Sequence, residues 1–287
     1  NSFSDSKIFK IGVPQGSMIG PLLFNTFLND FIATAEHSSI SNYADDNTMY
    51  CIGKNKDAIT LLLEQDFQTA SKWFYENAMV LNPEKCHYIC LGPNVNGNEK
   101  FNSQSYKLGN SEEEKMLGIS IDRKLSFENH VKSICRKASQ KLSALNRISP
   151  YLDVNKRKII YNSMIKSQFS YCSLIWMFCS RKSNNMINKI HKRSLRLSLQ
   201  DNNSDLYSLL EKNNETTIHQ RNIQIFMTEI YKVINGIAPP IMNSLFHIRN
   251  RNYNLQNFRA LETCTDKIVK YRTENLSHMS SILWSLV

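Results

Sequence analysis

The chain folds under one strong local constraint: two adjacent carboxylates, Asp45 and Asp46, stand between two short runs that alternate as half-buried strands do. Upstream runs Ser39-Ile40-Ser41-Asn42-Tyr43, and downstream Asn47-Thr48-Met49-Tyr50-Cys51-Ile52, with Thr48, Tyr50 and Ile52 on one face and Met49 and Cys51 on the other. Such a pattern predicts a β-hairpin whose bend carries the acids outward. Hard oxygen donors at that position suit Mg²⁺, which takes one or two carboxylates and completes its shell with water and substrate phosphates. Aspartates also favour turns for a local reason, because their side chains bond nearby backbone N–H groups. The pair alone is therefore open between a metal site and an ordinary turn.

The neighbouring segments give the hairpin something to pack on. Pro21 suits a first helical turn, and Leu23, Phe24, Phe27, Leu28 and Phe31 recur at helical spacing. Beyond the hairpin, Asp57 is placed to cap a helix with Ile59, Leu62, Leu63, Phe67, Ala70, Trp73 and Phe74 as its apolar stripe. A turn at Asn82-Pro83 leads into a strand over His87 to Leu91, and residues 93–114 have the composition of an exposed hairpin or loop. A further hairpin is expected from Met116 to the Asp122-Arg123 turn. From Ser126 onward the pattern is almost wholly helical: Val131, Ile134, Cys135, Ala138, Leu142 and Leu145 share a face, Asp153 caps a helix, and Met186, Ile187, Ile190 and Leu197 mark another. Ile223, Met227, Ile230 and Ile234 mark one more, which stops at Gly236 and Pro239-Pro240. Past Arg249 periodicity weakens, and irregular structure is expected. The fold class is α+β: an antiparallel sheet on helices over residues 1–125, a basic helical region over 126–248 and an irregular segment over 249–287.

Charge separates the halves more sharply than composition does. Of the net +10, residues 123–200 hold seventeen Lys or Arg against Glu128 and Asp153, a balance of +15 that leaves −5 for the rest. A stripe of this kind suits phosphate-backbone contact, a solvated helical face or a membrane surface. The run Tyr171 to Cys179 is too short to span a bilayer, so no membrane partner is expected. Seven scattered cysteines without CxxC spacing, and histidines without ligand spacing, point to thiols in a reducing compartment rather than to zinc or disulfides. No GxGxxG, P-loop or HExxH pattern supports a dinucleotide enzyme, a nucleotide triphosphatase or a zinc protease.

GVPQGSMIGPLLF at 12–24 and YADD at 43–46, taken together, resemble the reverse transcriptases of non-LTR retrotransposons. In the same order, WFYENAMVLNPEKC at 73–86 is similar to the segment after that family's active-site hairpin, and KMLGISIDRKLSFENHV at 115–131 to its primer-contacting hairpin. KIHKRSLRL at 189–197, INGIAPP at 234–240 and the final ILWSLV are similar to the helical extension that follows the palm. The resemblance covers nearly the whole chain and is strongest up to residue 131. It implies a partial polymerase palm followed by a thumb, with RNA template, DNA primer and dNTP as partners and Mg²⁺ or Mn²⁺ as cofactor. It also implies a protein made in the cytoplasm and acting there or in the nucleus.

The same resemblance assigns roles. Asp45 would coordinate metal, and Asp46 would either share it or brace the turn. Tyr43 would support the hairpin and face the primer terminus, and Ala44 would tune contact with nucleotide or primer. Gln15 and Gly16 match the template and nucleotide loop, where a glycine lets backbone approach substrate closely. Lys85 falls near a lysine proposed to protonate departing pyrophosphate, or is an ordinary surface lysine. Leu117 and Gly118 match the primer-grip hairpin. Lys132, Arg136, Lys137, Lys189, Lys192, Arg193 and Arg196 would line the nucleic-acid path, while Trp73 and Trp176 suit the core. The family's other metal-binding aspartate and its fingers belong upstream of GVPQG, yet only eleven residues precede Gly12, with Asp5 their sole acid. The expectation is a fragment cut at both ends, without its fingers or any upstream endonuclease region, carrying half of a two-metal site and inactive alone. A non-catalytic RNA-binding remnant and a decayed transposon copy are the alternatives.

Overall fold

The computed structural model describes residues 12–14, 16–92, 100–102, 107–245 and 279–284. The chain divides into two compact units, residues 1–114 with 273–287, and residues 115–272. The architecture is α+β, with an antiparallel sheet packed on helices in the first unit and a mainly helical second unit.

The first unit opens with helix α1 (Gly20–Phe27), which has Pro21 in its first turn as the sequence predicts. It stops at Leu28, and the 3₁₀ turn Asp30–Thr34 then carries Phe31 into the core. The apolar stripe expected here is therefore split: Leu28 and Phe31 are buried, whereas Leu23 and Phe27 remain exposed. Strands β1 (Ser39–Tyr43) and β2 (Asp46–Ile52) form the expected hairpin. Helix α2 (Lys56–Glu76) follows, capped by the Asn55 side chain rather than by Asp57, which sits in the first turn where its charge suits the helix dipole.

After a 3₁₀ turn, Pro83–Lys85, comes β3 (His87–Ile89), and then a hairpin of β4 (Lys100–Asn102) and β5 (Lys107–Gly109). That hairpin is more than a solvated loop. Its Phe101 is fully buried, with ring centroids 5.4 Å from both Phe67 and Tyr88. The core joins Met49 from the sheet to Leu63, Phe67, Ala70 and Phe74 of α2. The main sheet has the order β1-β2-β8-β3, because β8 (Met279–Trp284) pairs antiparallel with both β2 and β3. A strand from the far end of the chain thus satisfies backbone groups that the consecutive strands leave open. Sequence periodicity gave no sign of it; the rest of the segment expected to be irregular, 249–278 and 285–287, lies outside the described residues.

The second unit is entered through β6 (Glu113–Met116) and β7 (Ile119–Asp122), joined by Leu117 and Gly118. The expected turn at Asp122-Arg123 follows β7, where the Leu125 N–H reaches the Asp122 carbonyl at 2.8 Å. The Asp122 side chain has a further task. Its carboxylate accepts from the backbone N–H groups of Lys124, Ser126 and Phe127, which shapes the entry to α3 (Glu128–Ile148). The α3 face expected from Val131 to Leu145 is buried at all six positions, so helical spacing read this element correctly.

Asp153 caps α4 (Val154–Ile160), as expected, and a π-helical turn (Tyr161–Ile165) follows. Then come α5 (Ser173–Trp176), α6 (Arg181–Leu199), α7 (Leu206–Asn213) and α8 (Ile218–Ile234). In α8 the predicted stripe is not the buried one: Ile218, Asn222 and Val233 face inward, while Met227 and Ile234 are exposed. Gly236, with φ +66, ends that helix, and the Ile237 N–H reaches back to the Lys232 carbonyl at 2.8 Å. Among the described residues, no helix is long and apolar enough to cross a membrane. The six described cysteines are thiols, and burial pushes those of Cys86, Cys135 and Cys179 up to about 11, which keeps them unreactive.

Candidate active site

The acidic turn is short because the strand register leaves no room for more. Tyr43 pairs with Asp46, so Ala44 and Asp45 alone make the bend. Asp45 is exposed and Asp46, as the first residue of β2, is half-buried. Asn47 lies beneath them, fully buried, and its side-chain amide donates to the Asp45 carbonyl at 3.2 Å. Tyr43 stands 66% exposed beside the acids, an outlay of aromatic surface that core packing does not explain.

The turn carries strain at Ala44, whose φ of 54 lies in the left-handed region. A β-branched residue tolerates that conformation least, and alanine gives up only part of what glycine would regain, because glycine loses more chain entropy on folding. Ala44→Val should lower stability by about 1–2 kcal/mol and Ala44→Gly should change it by less than ~0.5 kcal/mol, measured by denaturant unfolding.

Behind the hairpin, α2 supplies an anchor. Asp66, buried among the apolar residues of that helix, accepts the backbone N–H of Glu36 at 3.2 Å, of His37 at 2.9 Å and of Ser38 at 2.6 Å. Those three residues lead directly into β1. Burial alone would raise the Asp66 pKa, but the hydrogen bonds from Ser38 and from the backbone of His37, Ser38 and Glu36 outweigh it and hold the carboxyl below its usual range. Asp66 was not among the residues the sequence singled out. Its signal was a carboxylate at a core-facing position between Leu63 and Phe67.

The remaining candidates sit on separate elements. Gly16, with φ +82, lies in the loop before α1, where the Ser17 hydroxyl accepts the Gly20 N–H at 3.0 Å; Gln15 and Asp5 lie outside the described residues. Lys85 is exposed on the turn Pro83–Lys85. Leu117 and Gly118 form the β6–β7 bend in the second unit. Lys132, Arg136 and Lys137 are exposed on α3, and Lys189 and Arg193 on α6, whereas Lys192 and Arg196 are half-buried. Arg196 also donates from its guanidinium to the Ser204 carbonyl at 3.0 Å.

Not all of the basic stripe faces water. Arg157 is 2% exposed, with a guanidinium N–H on the Ser149 carbonyl at 3.4 Å, and Lys166 pairs with Glu215 at 2.7 Å. Ten cations of the stripe are exposed: Lys124, Lys132, Arg136, Lys137, Arg147, Lys156, Arg181, Lys182, Lys189 and Arg193.

For a hard divalent ion, Asp45 and Asp46 offer suitable oxygen donors, but only from one side. Among the described residues, no group of three or more His, Cys, Asp or Glu is gathered to hold a metal. Two adjacent carboxylates match the one or two that Mg²⁺ takes, with water and substrate phosphates completing its shell.

The reverse transcriptase (RNA-dependent DNA polymerase) family matches residues 2–121, a span that includes the whole acidic hairpin and its supporting helix. Over residues 2–121 the chain is similar to reverse transcriptases. The relatives extend the likeness past that segment, and they are RNA-directed DNA polymerases of transposons and mobile elements and Pol polyproteins of type-1 retrotransposable elements. The chain is 25% identical over 212 residues to the probable RNA-directed DNA polymerase from transposon BS of Drosophila melanogaster, covering 68% of this chain and 23% of that protein. It is 29% identical over 220 residues to the RNA-directed DNA polymerase from mobile element jockey of Drosophila funebris, covering 67% and 22%. A Pol polyprotein from the type-1 retrotransposable element R1 2 of Nasonia vitripennis is 23% identical over 177 residues, covering 58% and 43%. The chain thus spans under a quarter of the length of the first of these relatives. No solved structure matches it.

Proposed function

We propose that this reverse-transcriptase chain forms part of an RNA-directed DNA polymerase active site, with Asp45 as its principal metal-binding carboxylate and Asp46 as a second. The observation that carries this reading is the exposed Asp45 on a two-residue turn, inside a segment that matches the family. In the reaction, the primer 3′ oxygen attacks the α-phosphorus of a dNTP, a new P–O bond forms and pyrophosphate leaves. Asp45 and Asp46 would hold Mg²⁺ or Mn²⁺, which would supply neutralisation of the charge that develops during the transfer.

The chain's own residues would do the rest. The Gly16 loop lets backbone come close to template and nucleotide, Tyr43 and Ala44 border the primer terminus, and Lys85 gives a proton to the departing pyrophosphate. The Leu117–Gly118 turn holds the primer strand. Lys132, Arg136 and Lys137 on α3, with Lys189, Lys192, Arg193 and Arg196 on α6, follow the phosphate backbone. Affinity for RNA should then fall steeply with salt, with a log–log slope of about −0.7 per neutralised phosphate on single strands.

In this reading a further carboxylate, from outside the described residues or from another chain, completes the donor set, and this chain should not polymerise without it. Primer extension on poly(rA) with Mg²⁺ or Mn²⁺ tests this. The comparison is between the 287-residue chain and a longer polypeptide in which fingers and a further acidic strand precede it. Incorporation by the longer polypeptide alone is the expected result. Salt-dependent RNA binding with no incorporation by either would favour the second reading, a non-catalytic RNA-binding remnant, for which the ten exposed cations speak.

A further inference from the structure

The bend between β6 and β7 holds one residue, Leu117, that does not choose its shape. Leu117 has φ 43 and Gly118 has φ 84, so both residues are left-handed. Two-residue hairpin turns of this kind match the twist of their strands and usually take Asn-Gly or Gly-Gly. A leucine in that conformation is uncommon and persists only where its surroundings hold it. Here one side chain meets both residues of the bend. The phenol O–H of Tyr171 donates to the Leu117 carbonyl at 2.6 Å, and the Tyr171 Cε1 lies 3.6 Å from where a Cβ on Gly118 would stand.

Tyr171 is itself anchored. Its carbonyl accepts the indole N–H of Trp176 at 3.0 Å, and Trp176 is 1% exposed in the core of the second unit. The next residue, Cys172, has φ 44, so the chain bends sharply just after the tyrosine. In consequence Tyr171 is 54% exposed and reaches the surface turn rather than the core. A residue needed only for packing would be buried and would not require a hydroxyl. This one spends its hydroxyl on the backbone of an exposed, strained bend.

We propose that Tyr171 is a positioning residue, which fixes the Leu117–Gly118 turn in the orientation that receives the recessed 3′ end of a DNA primer on RNA. The proposal rests on the reading above that this turn holds the primer strand. Trp176 sets Tyr171, and Tyr171 sets the turn.

Three measurements on the full chain and on Tyr171→Phe test it: affinity for an RNA template bearing a recessed DNA primer, affinity for the same RNA unprimed, and amide hydrogen exchange across residues 115–120. The wild type should prefer the primed template. Tyr171→Phe should weaken primed binding about three- to tenfold, the loss expected for one net hydrogen bond. It should also speed exchange in the turn and leave unprimed affinity and the melting temperature nearly unchanged. A second variant, Gly118→Ala, should weaken primed binding in the same way, because alanine is strained at that φ. Unaltered primed affinity in Tyr171→Phe overturns the proposal. A wild type without preference for the primed template fails at an earlier point, since it removes the primer-contact role of the turn before any substitution is made.

Discussion

If the proposed site is right, Asp45→Ala should abolish metal-dependent nucleotide incorporation by a polypeptide that contains this chain, a loss on the order of a thousandfold or more. The magnitude follows from what is removed. Charge stabilisation by a bound divalent ion is worth several kcal/mol in the transition state, and each ~1.4 kcal/mol is a factor of ten in rate. Asp45 is exposed at the bend, so its truncation deletes no packing and should leave the melting temperature where it was. Affinity for RNA should also hold, because the proposed phosphate contacts are on α3 and α6. Asp46→Asn should cost less than Asp45→Ala, since Asp46 opens β2 and pairs with Tyr43 through its backbone whatever its side chain. Steady-state incorporation with Mg²⁺, run beside RNA binding and thermal melting, separates these effects. Intact incorporation in Asp45→Ala would mean that the acid pair is an ordinary turn.

Asp66→Ala should unfold the sheet side of the first unit far more readily than any change at the acidic turn. Three backbone N–H groups lose one shared acceptor, and leaving a buried donor unsatisfied costs about 1–3 kcal/mol each. Glu36 and His37 are exposed, so their groups can recover part of this from water, and a net loss of about 2–4 kcal/mol is expected. The carboxylate also makes stability depend on pH in a definite direction. Its pKa is lowered in the folded state, so the folded chain binds its proton less readily than the unfolded chain does. The stabilisation is complete above the unfolded value, about 3.9, and is lost as pH falls through the lower folded value. Urea midpoints measured between neutral pH and pH 3 should therefore fall on the acid side in the wild type, and that part of the fall should be missing in Asp66→Ala. Equal acid slopes in the two proteins would show that Asp66 does not carry the effect.

The parts of the fold that the sequence disclosed are those held by local rules. The hairpin around Asp45 was legible because strand alternation and a polar bend are local. The α3 face from Val131 to Leu145 was legible because one long helix packs one side against a core, and its buried positions follow the helical period. The Asp153 cap needs only the next three residues. Elements whose environment has more than one side were misread. In α8 the periodic stripe Ile223-Met227-Ile230-Ile234 differs from the buried set, because which side of an amphipathic helix is covered depends on its neighbours. The α1 stripe failed for a similar reason: the helix stops after Phe27, and the 3₁₀ turn redirects Phe31 alone inward.

The candidate site divides along the same line. By itself the sequence determined that Asp45 and Asp46 stand at a bend, that the segment resembles a reverse transcriptase and that the cations gather after residue 122. These are consequences of spacing and residue type. Only the tertiary structure decided which charges stay in water, since Arg157 and Lys166 count as basic in any tally yet hold internal partners. It also decided that Asp66 anchors the approach to β1, that Tyr171 grips a turn 54 residues away, and that Met279–Trp284 lies between β2 and β3. Each of these joins distant residues through a hydrogen bond, and local propensity carries no information about which donor will meet which acceptor once the chain has closed on itself.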